Sequence, residues 1–174
     1  IAKGLGGGYQ PIGAMMCTGA IHEAIASGSG FFQHGHTYMG HPTAAAAACA
    51  VLDRLVDDGL ADRVTPVGDG LRAMLTDRFG QHPHVGDIRG RGLFLGLELV
   101  ADRDSRAPFD PARKINARLK AAAFEAGLIC YPMGGCVDGQ RGDHVLLAPP
   151  FILTKDQAGE LVDKLETGLT AALA

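Results

Sequence analysis

The feature that most narrows the possible folds is the run Leu93-Phe94-Leu95-Gly96-Leu97-Glu98-Leu99. Leucine recurs at every second position, and a period of two puts the four leucines on one face of a strand. Phe94, Gly96 and Glu98 fall on the other face. Such a strand turns one apolar side to a core, and another layer has to cover it. The flanking sequence supplies that layer. Leu60, Val64, Val67, Leu71, Leu75 and Phe79 are spaced by three and four, which predicts an amphipathic helix over 60–79. Pro66 lies inside this span and either kinks the helix or marks its effective start. Val85 to Val100 is sheet-like. Pro111 to about Ala126 reads as a helix closed by Gly127, and Leu128 to Tyr131 as a short strand. Met133 to Asp143 is glycine-rich and irregular. Val145 to Ala148 is another strand, stopped by Pro149-Pro150. Thr154 and Gln157 form a capping box. It opens a last helix to near Leu173, with Leu161, Leu165, Leu169 and Leu173 on one face. The order helix, strand, helix, strand, strand, helix predicts an α+β unit with helices over one face of a small sheet.

The first part of the chain is of a different kind. Ile1-Ala2-Lys3-Gly4-Leu5-Gly6-Gly7-Gly8-Tyr9-Gln10-Pro11-Ile12-Gly13-Ala14 sets one lysine directly before a run of glycines. Glycine has no Cβ to obstruct a ligand. An amine among glycines becomes a nucleophile toward a carbonyl if its surroundings lower its pKa. The glycine run does not meet the dinucleotide-binding pattern: no strand precedes it, and Glu23, at about the right distance, falls in the short helix predicted for Ile21 to Ala26. Ile12 to Thr18 reads as a buried strand or the exit from the loop. Phe31 to His41 is irregular. Pro42 suits the first position of a helix, and Thr43 to Asp57 continues it, apolar on most sides and so expected to be buried. Gly59 is a natural stop.

Composition excludes several classes. With 174 residues, 47% of them hydrophobic, the chain is long enough for a real core. The net charge of −3 and the lack of a basic stripe exclude nucleic acid as an expected partner. No apolar run reaches the roughly 18 residues of a membrane span. Cys17, Cys49, Cys130 and Cys136 show no CxxC spacing, so reduced thiols in the cytoplasm are the expectation. His34, His36, His41, His82 and His84 lack the Cys or carboxylate partners of a metal set, so no metal is expected.

Four blocks, taken together and in order, resemble the class III (ω-amino acid) aminotransferases. They are the lysine segment 2–14, His34-Gly35-His36-Thr37-Tyr38-Met39-Gly40-His41-Pro42, Arg89-Gly90-Arg91-Gly92-Leu93-Phe94-Leu95-Gly96-Leu97-Glu98-Leu99, and Gly142-Asp143-His144-Val145-Leu146-Leu147-Ala148-Pro149-Pro150-Phe151. The resemblance implies an α/β fold of the fold type I class of pyridoxal-phosphate enzymes. Here it covers the end of the large domain and the α+β C-terminal small domain. Residues 1–41 would close the large domain, 42–59 form a linker and interface helix, and 60–174 the small domain. A chain beginning inside the lysine motif reads as the C-terminal portion of a longer protein.

The resemblance also implies roles. Lys3 would form a Schiff base with pyridoxal 5'-phosphate and shuttle the substrate's proton. Thr37 would donate to the cofactor phosphate across a homodimer interface. Arg141 would clamp the substrate carboxylate, whereas Arg89 and Arg91 hold structure or a domain interface. His36 stands where the family often has an aromatic residue. The groups that pair the pyridinium and stack on the ring lie upstream of Lys3. The implied reaction transfers an amino group from an amine or ω-amino acid to a keto acid such as pyruvate or 2-oxoglutarate. The alternatives are another class III reaction (aminomutase, decarboxylase or racemase) or a non-catalytic fragment that only dimerises.

Overall fold

The structure is a computed structural model describing residues 1–174. The chain divides into two units, Ile1–Leu60 and Ala61–Ala174.

In the first unit, the lysine segment is followed by α1 (Gly19–Ser27), whose N-cap Thr18 accepts from the Ile21 N–H, and by α2 (Pro42–Asp57). Ile12 to Thr18 forms no strand. Gly13 makes a single bridge to Ala2, and the residues after it are exposed. Their lack of charge marks surface left bare in this chain, not a core. The apolar α2 is likewise buried along one stripe only. Ala44 and Ala48 are buried and Ala47, Val51 and Leu55 half-buried, a spacing of three and four, whereas Leu52 and Val56 are exposed. That stripe lies against the lysine segment, with Val51 beside Gly7.

The second unit is built on α3 (Leu60–Phe79), β1 (Val85–Arg91), β2 (Phe94–Leu99), α4 (Ile115–Glu125), β3 (Tyr131–Gly134), β4 (Asp143–Leu147) and α5 (Lys155–Leu173). Its sheet is antiparallel throughout, in the order β1-β2-β4-β3. The alternation in β2 appears as expected: Leu95, Leu97 and Leu99 are almost fully buried and Phe94 is exposed. Leu97 pairs with Ile88 on one side and Val145 on the other, so one face of the sheet is apolar across three strands. Leu71, Leu75 and Phe79 of α3, Ile115, Leu119 and Ala123 of α4, and Val162, Leu165 and Leu169 of α5 complete that core. Leu93 is not part of the strand. With Gly92, which has φ +55°, it forms the two-residue turn between Arg91 and Phe94, and its side chain still enters the core.

α3 runs unbroken through Pro66 and meets this turn at Gly68. A Cβ on Gly68 would stand 2.2 Å from the Gly92 carbonyl carbon and oxygen, so only glycine permits the approach.

Several details differ from the sequence reading, among them β4, which starts at Asp143 and not at Val145. Pro111–Arg113 is a separate 3-10 turn capped by Asp110, Lys114 takes φ +50°, and α4 starts only at Ile115. Lys114 gives α4 no side-chain cap, and Asp143 of β4 takes that role. Its Oδ1 accepts from the Asn116 N–H at 3.1 Å and from Asn116 Nδ2 at 2.7 Å. Leu128 to Cys130 is not a strand. Instead Tyr131–Gly134 pairs with β4, an assignment hidden by Pro132 and Gly134, which look like loop residues. In α5 the capping box of Thr154 and Gln157 is present. Its buried stripe is Ala158, Val162, Leu165, Gly168, Leu169 and Ala172. Leu161 and Leu173 lie at its margin, because Gly168 meets Ala123 of α4 closely and turns that face inward.

Candidate functional site

Lys3 sits on a loop tied at its base. The Ile1 nitrogen donates to the Ala14 carbonyl and the Ala14 N–H donates to the Ile1 carbonyl, both at 2.8 Å. Between them Lys3–Gly6 forms a 3-10 turn, followed by Gly7 at φ +57° and Gly8 at φ +81°. A Cβ on Gly7 would come within 2.9 Å of Val51 Cγ2. The glycine is therefore what lets the segment seat on α2. Lys3 itself takes φ +56°, a conformation that costs a non-glycine residue about 1–3 kcal/mol and concentrates at functional sites. Its side chain is exposed and makes no hydrogen bond or ion pair. At Gly4 and Gly8 a Cβ would meet nothing within 4 Å, so the lysine has open space beside it.

Thr37 opens the turn Thr37–Gly40. His36 Nδ1 accepts from the Tyr38 N–H at 3.1 Å, and the His36 carbonyl accepts from the Met39 N–H at 2.9 Å. His41 is the N-cap of α2, its Nδ1 accepting from the Ala44 N–H at 3.3 Å. These histidines thus have backbone roles. The spacing of His41 one residue before Pro42 could have signalled its cap. No three His, Cys, Asp or Glu side chains are grouped to hold a metal ion. The Thr37 hydroxyl and N–H have no protein partner. Thr37 and Lys3 belong to the same unit, but no hydrogen bond joins their segments.

Arg141 belongs to the second unit, in the β3–β4 connection. Asp138 holds it. Asp138 Oδ1 accepts from the N–H groups of Gln140 at 3.0 Å and Arg141 at 2.7 Å, and its Oδ2 accepts from Arg141 Nε at 2.7 Å. The Arg141 backbone N–H first, then its guanidinium and the Gln140 N–H, hold the Asp138 carboxyl down to about 2. The sequence reading singled out Arg141 and missed Asp138, although a carboxylate three residues before an arginine in a glycine-rich stretch is a visible signal.

Arg89 lies on the sheet face away from the helices. It donates from Nη1 to Asp87 at 2.8 Å and to Glu98 at 2.6 Å, and these bonds, Asp87 foremost, raise its pKa. On the same face His144 Nδ1 is buried without a partner. All four cysteines are free.

With this geometry in place, the chain can be set beside known proteins. The family model described as Aminotransferase class-III matches residues 1–169. An uncharacterized aminotransferase of Schizosaccharomyces pombe is 44% identical over all of this chain, which spans 38% of that relative's length. An amine transaminase from an uncultivated Pseudomonas species, solved in its PLP-bound form, is 38% identical with a TM-score of 0.81, covering 97% of this chain and 37% of that one. A transaminase from the marine bacterium Virgibacillus is 31% identical with a TM-score of 0.89, covering 98% of this chain and 38% of that one. The chain thus spans about a third of the length of the proteins it matches.

Proposed function

The chain belongs to the class-III aminotransferases, and from that premise we propose that it supplies the lysine-bearing part of a pyridoxal 5'-phosphate enzyme. That enzyme would move an amino group from an amine or ω-amino acid to a keto acid. The observation that carries this reading is Lys3, exposed and unpaired on a tied loop, with a left-handed backbone and open space at Gly4 and Gly8.

The residues present fit the cofactor. An unpaired amine suits its aldehyde, and the unpartnered hydroxyl and N–H of Thr37 suit an anion. Bound, the cofactor would supply an electron sink for the bond broken at the substrate. Lys3 Nζ would hold the cofactor through that aldehyde and, once released, would take the proton from the substrate's Cα. The glycines beside Lys3 leave room for both. Thr37 would donate to the phosphate of the cofactor held by the other subunit of a homodimer. Arg141 offers its guanidinium to the substrate carboxylate, pyruvate or 2-oxoglutarate on the acceptor side.

In this reading residues 1–41 end the large domain, 42–59 link the domains, and 60–174 form the small domain. The separation of the chain after Leu60 supports that division. Exposed Tyr9, Met15, Met16, Phe31, Phe32 and Tyr38 in the first unit support burial against the rest of a large domain and a second subunit. Four free cysteines suit a reducing, cytoplasmic setting. No helix is long and apolar enough to cross a membrane.

The test is reductive trapping. The protein is mixed with pyridoxal phosphate, reduced with borohydride, digested and mapped by mass spectrometry, with Lys3→Ala as control. Label confined to Lys3 is expected. Label spread over Lys114, Lys120, Lys155 and Lys164 would mean that these residues alone make no cofactor site and would remove Lys3's claim to one.

A further inference from the structure

The connection between β3 and β4 is closed by its own backbone. The Gly135 N–H donates to the Gly142 carbonyl at 2.7 Å, Val137 to Arg141 at 3.0 Å and Gly139 to Gly135 at 2.9 Å. Gly135, Gly139 and Gly142 take φ of +80°, +86° and +91°, so the path is one that few other residues could follow. Asp138 stands at the centre of this loop with both carboxylate oxygens engaged.

A guanidinium presents a carboxylate with two different edges. One is formed by Nε and an Nη, the other by the two Nη groups. Asp138 Oδ2 occupies Nε at 2.7 Å, and neither Nη makes a hydrogen bond within the protein. Asp138 cannot swing away cheaply, because its Oδ1 also holds the N–H groups of Gln140 and Arg141. From this geometry we infer that Asp138 is a positioning residue for Arg141. It anchors the Nε edge and presents the Nη1/Nη2 edge, so that a substrate carboxylate docks end-on. The inference rests on the reading of Arg141 as the carboxylate clamp.

Exposed ion pairs contribute little to stability. What Asp138 supplies here is direction: an otherwise free arginine would scatter over its rotamers and lose that freedom on binding. The Asp138 carboxyl, held down to about 2, keeps its charge at any pH where the enzyme would work.

The experiment uses the holoenzyme that carries this chain and compares Asp138→Asn with Arg141→Ala. Asparagine keeps an oxygen acceptor for the two turn N–H groups but loses the carboxylate oxygen facing Nε, so the loop is retained and the anchor is not. KM and kcat are measured for pyruvate and for an aldehyde of similar size with no carboxylate. Both variants are expected to raise KM for pyruvate, Asp138→Asn by about tenfold, and in Asp138→Asn kcat and the aldehyde's KM are little changed. An Arg141→Ala enzyme with unchanged pyruvate KM would refute the clamp itself. A raised KM in Arg141→Ala alone would refute only the role of Asp138. Should Asp138→Asn fail to fold, the Arg141 Nε–H resonance of the wild-type protein decides. A slowly exchanging signal at pH 7 is expected, and one in free exchange with water overturns the inference.

Discussion

Gly68→Ala and Gly70→Ala lie two positions apart in α3 and should move stability in opposite directions. Helix propensity alone favours both by about 0.5–1 kcal/mol, because alanine loses less backbone freedom than glycine. At Gly70 a new Cβ meets nothing within 4 Å, so that gain should be realised in full. At Gly68 it would stand 2.2 Å from the Gly92 carbonyl carbon and oxygen and 2.7 Å from its Cα. All three are backbone atoms, and no rotamer change relieves the overlap. Reaching an ordinary contact of about 3.5 Å means parting the helix from the turn by more than an ångström. Leu71 and Leu75 would be pulled from the core in the process. Overpacking of this kind costs about 1–3 kcal/mol or somewhat more. Placing Gly68→Ala near the upper end and subtracting the propensity gain leaves a net loss of about 2 kcal/mol. Equilibrium urea unfolding followed by circular dichroism should show the midpoint lowered for Gly68→Ala and raised for Gly70→Ala, at equal slope. A Gly68→Ala protein as stable as the parent would refute the packing argument.

Other perturbations follow the same logic. Asp143→Ala strands two half-buried donors on Asn116 and should cost about 1–3 kcal/mol in the same unfolding assay, whereas Asp143→Asn, which keeps an acceptor oxygen, should cost less. Thr154→Ala removes half of the capping box and should cost about 1 kcal/mol by urea midpoint. Burial first, and then the neighbouring His84, lower the pKa of His82 below its usual 6.5, against a weak opposing effect of Glu166. Because the folded state disfavours the proton, stability from this residue is complete above about 6.5 and declines as pH falls below it. A pH series of thermal midpoints should show this decline, flattened in His82→Gln.

Local periodicity was enough to locate β2, α3 and the last helix. The Leu95, Leu97 and Leu99 alternation and the Thr154 cap need no distant partner to be recognised. What stayed hidden depended on pairing across the chain. β3 carries Pro132 and Gly134 and exists because Met133 lies opposite His144. The start of α4 is set by Asp143, 27 positions beyond Asn116. The apolar stretch Ile12 to Thr18 misled for a related reason: surface that one chain leaves bare reads, in sequence, like surface that it buries. For the proposed site, the family resemblance pointed to Lys3, Thr37 and Arg141, but not to the left-handed backbone of Lys3 or to the carboxylate that holds Arg141.

The strand order has a consequence for how copies of this chain can associate. β1 and β3 are the outer strands of the sheet. β1 begins with a break in register between Val85 and Asp87, and β3 is only four residues long with Pro132 among them. Neither outer strand offers a regular row of N–H and C=O groups for another strand to extend, and both irregularities are of the kind that blocks lateral sheet growth. Self-association of this chain should therefore proceed by adhesion of apolar side chains in the first unit, sensitive to mild detergent, and without a gain in β-structure.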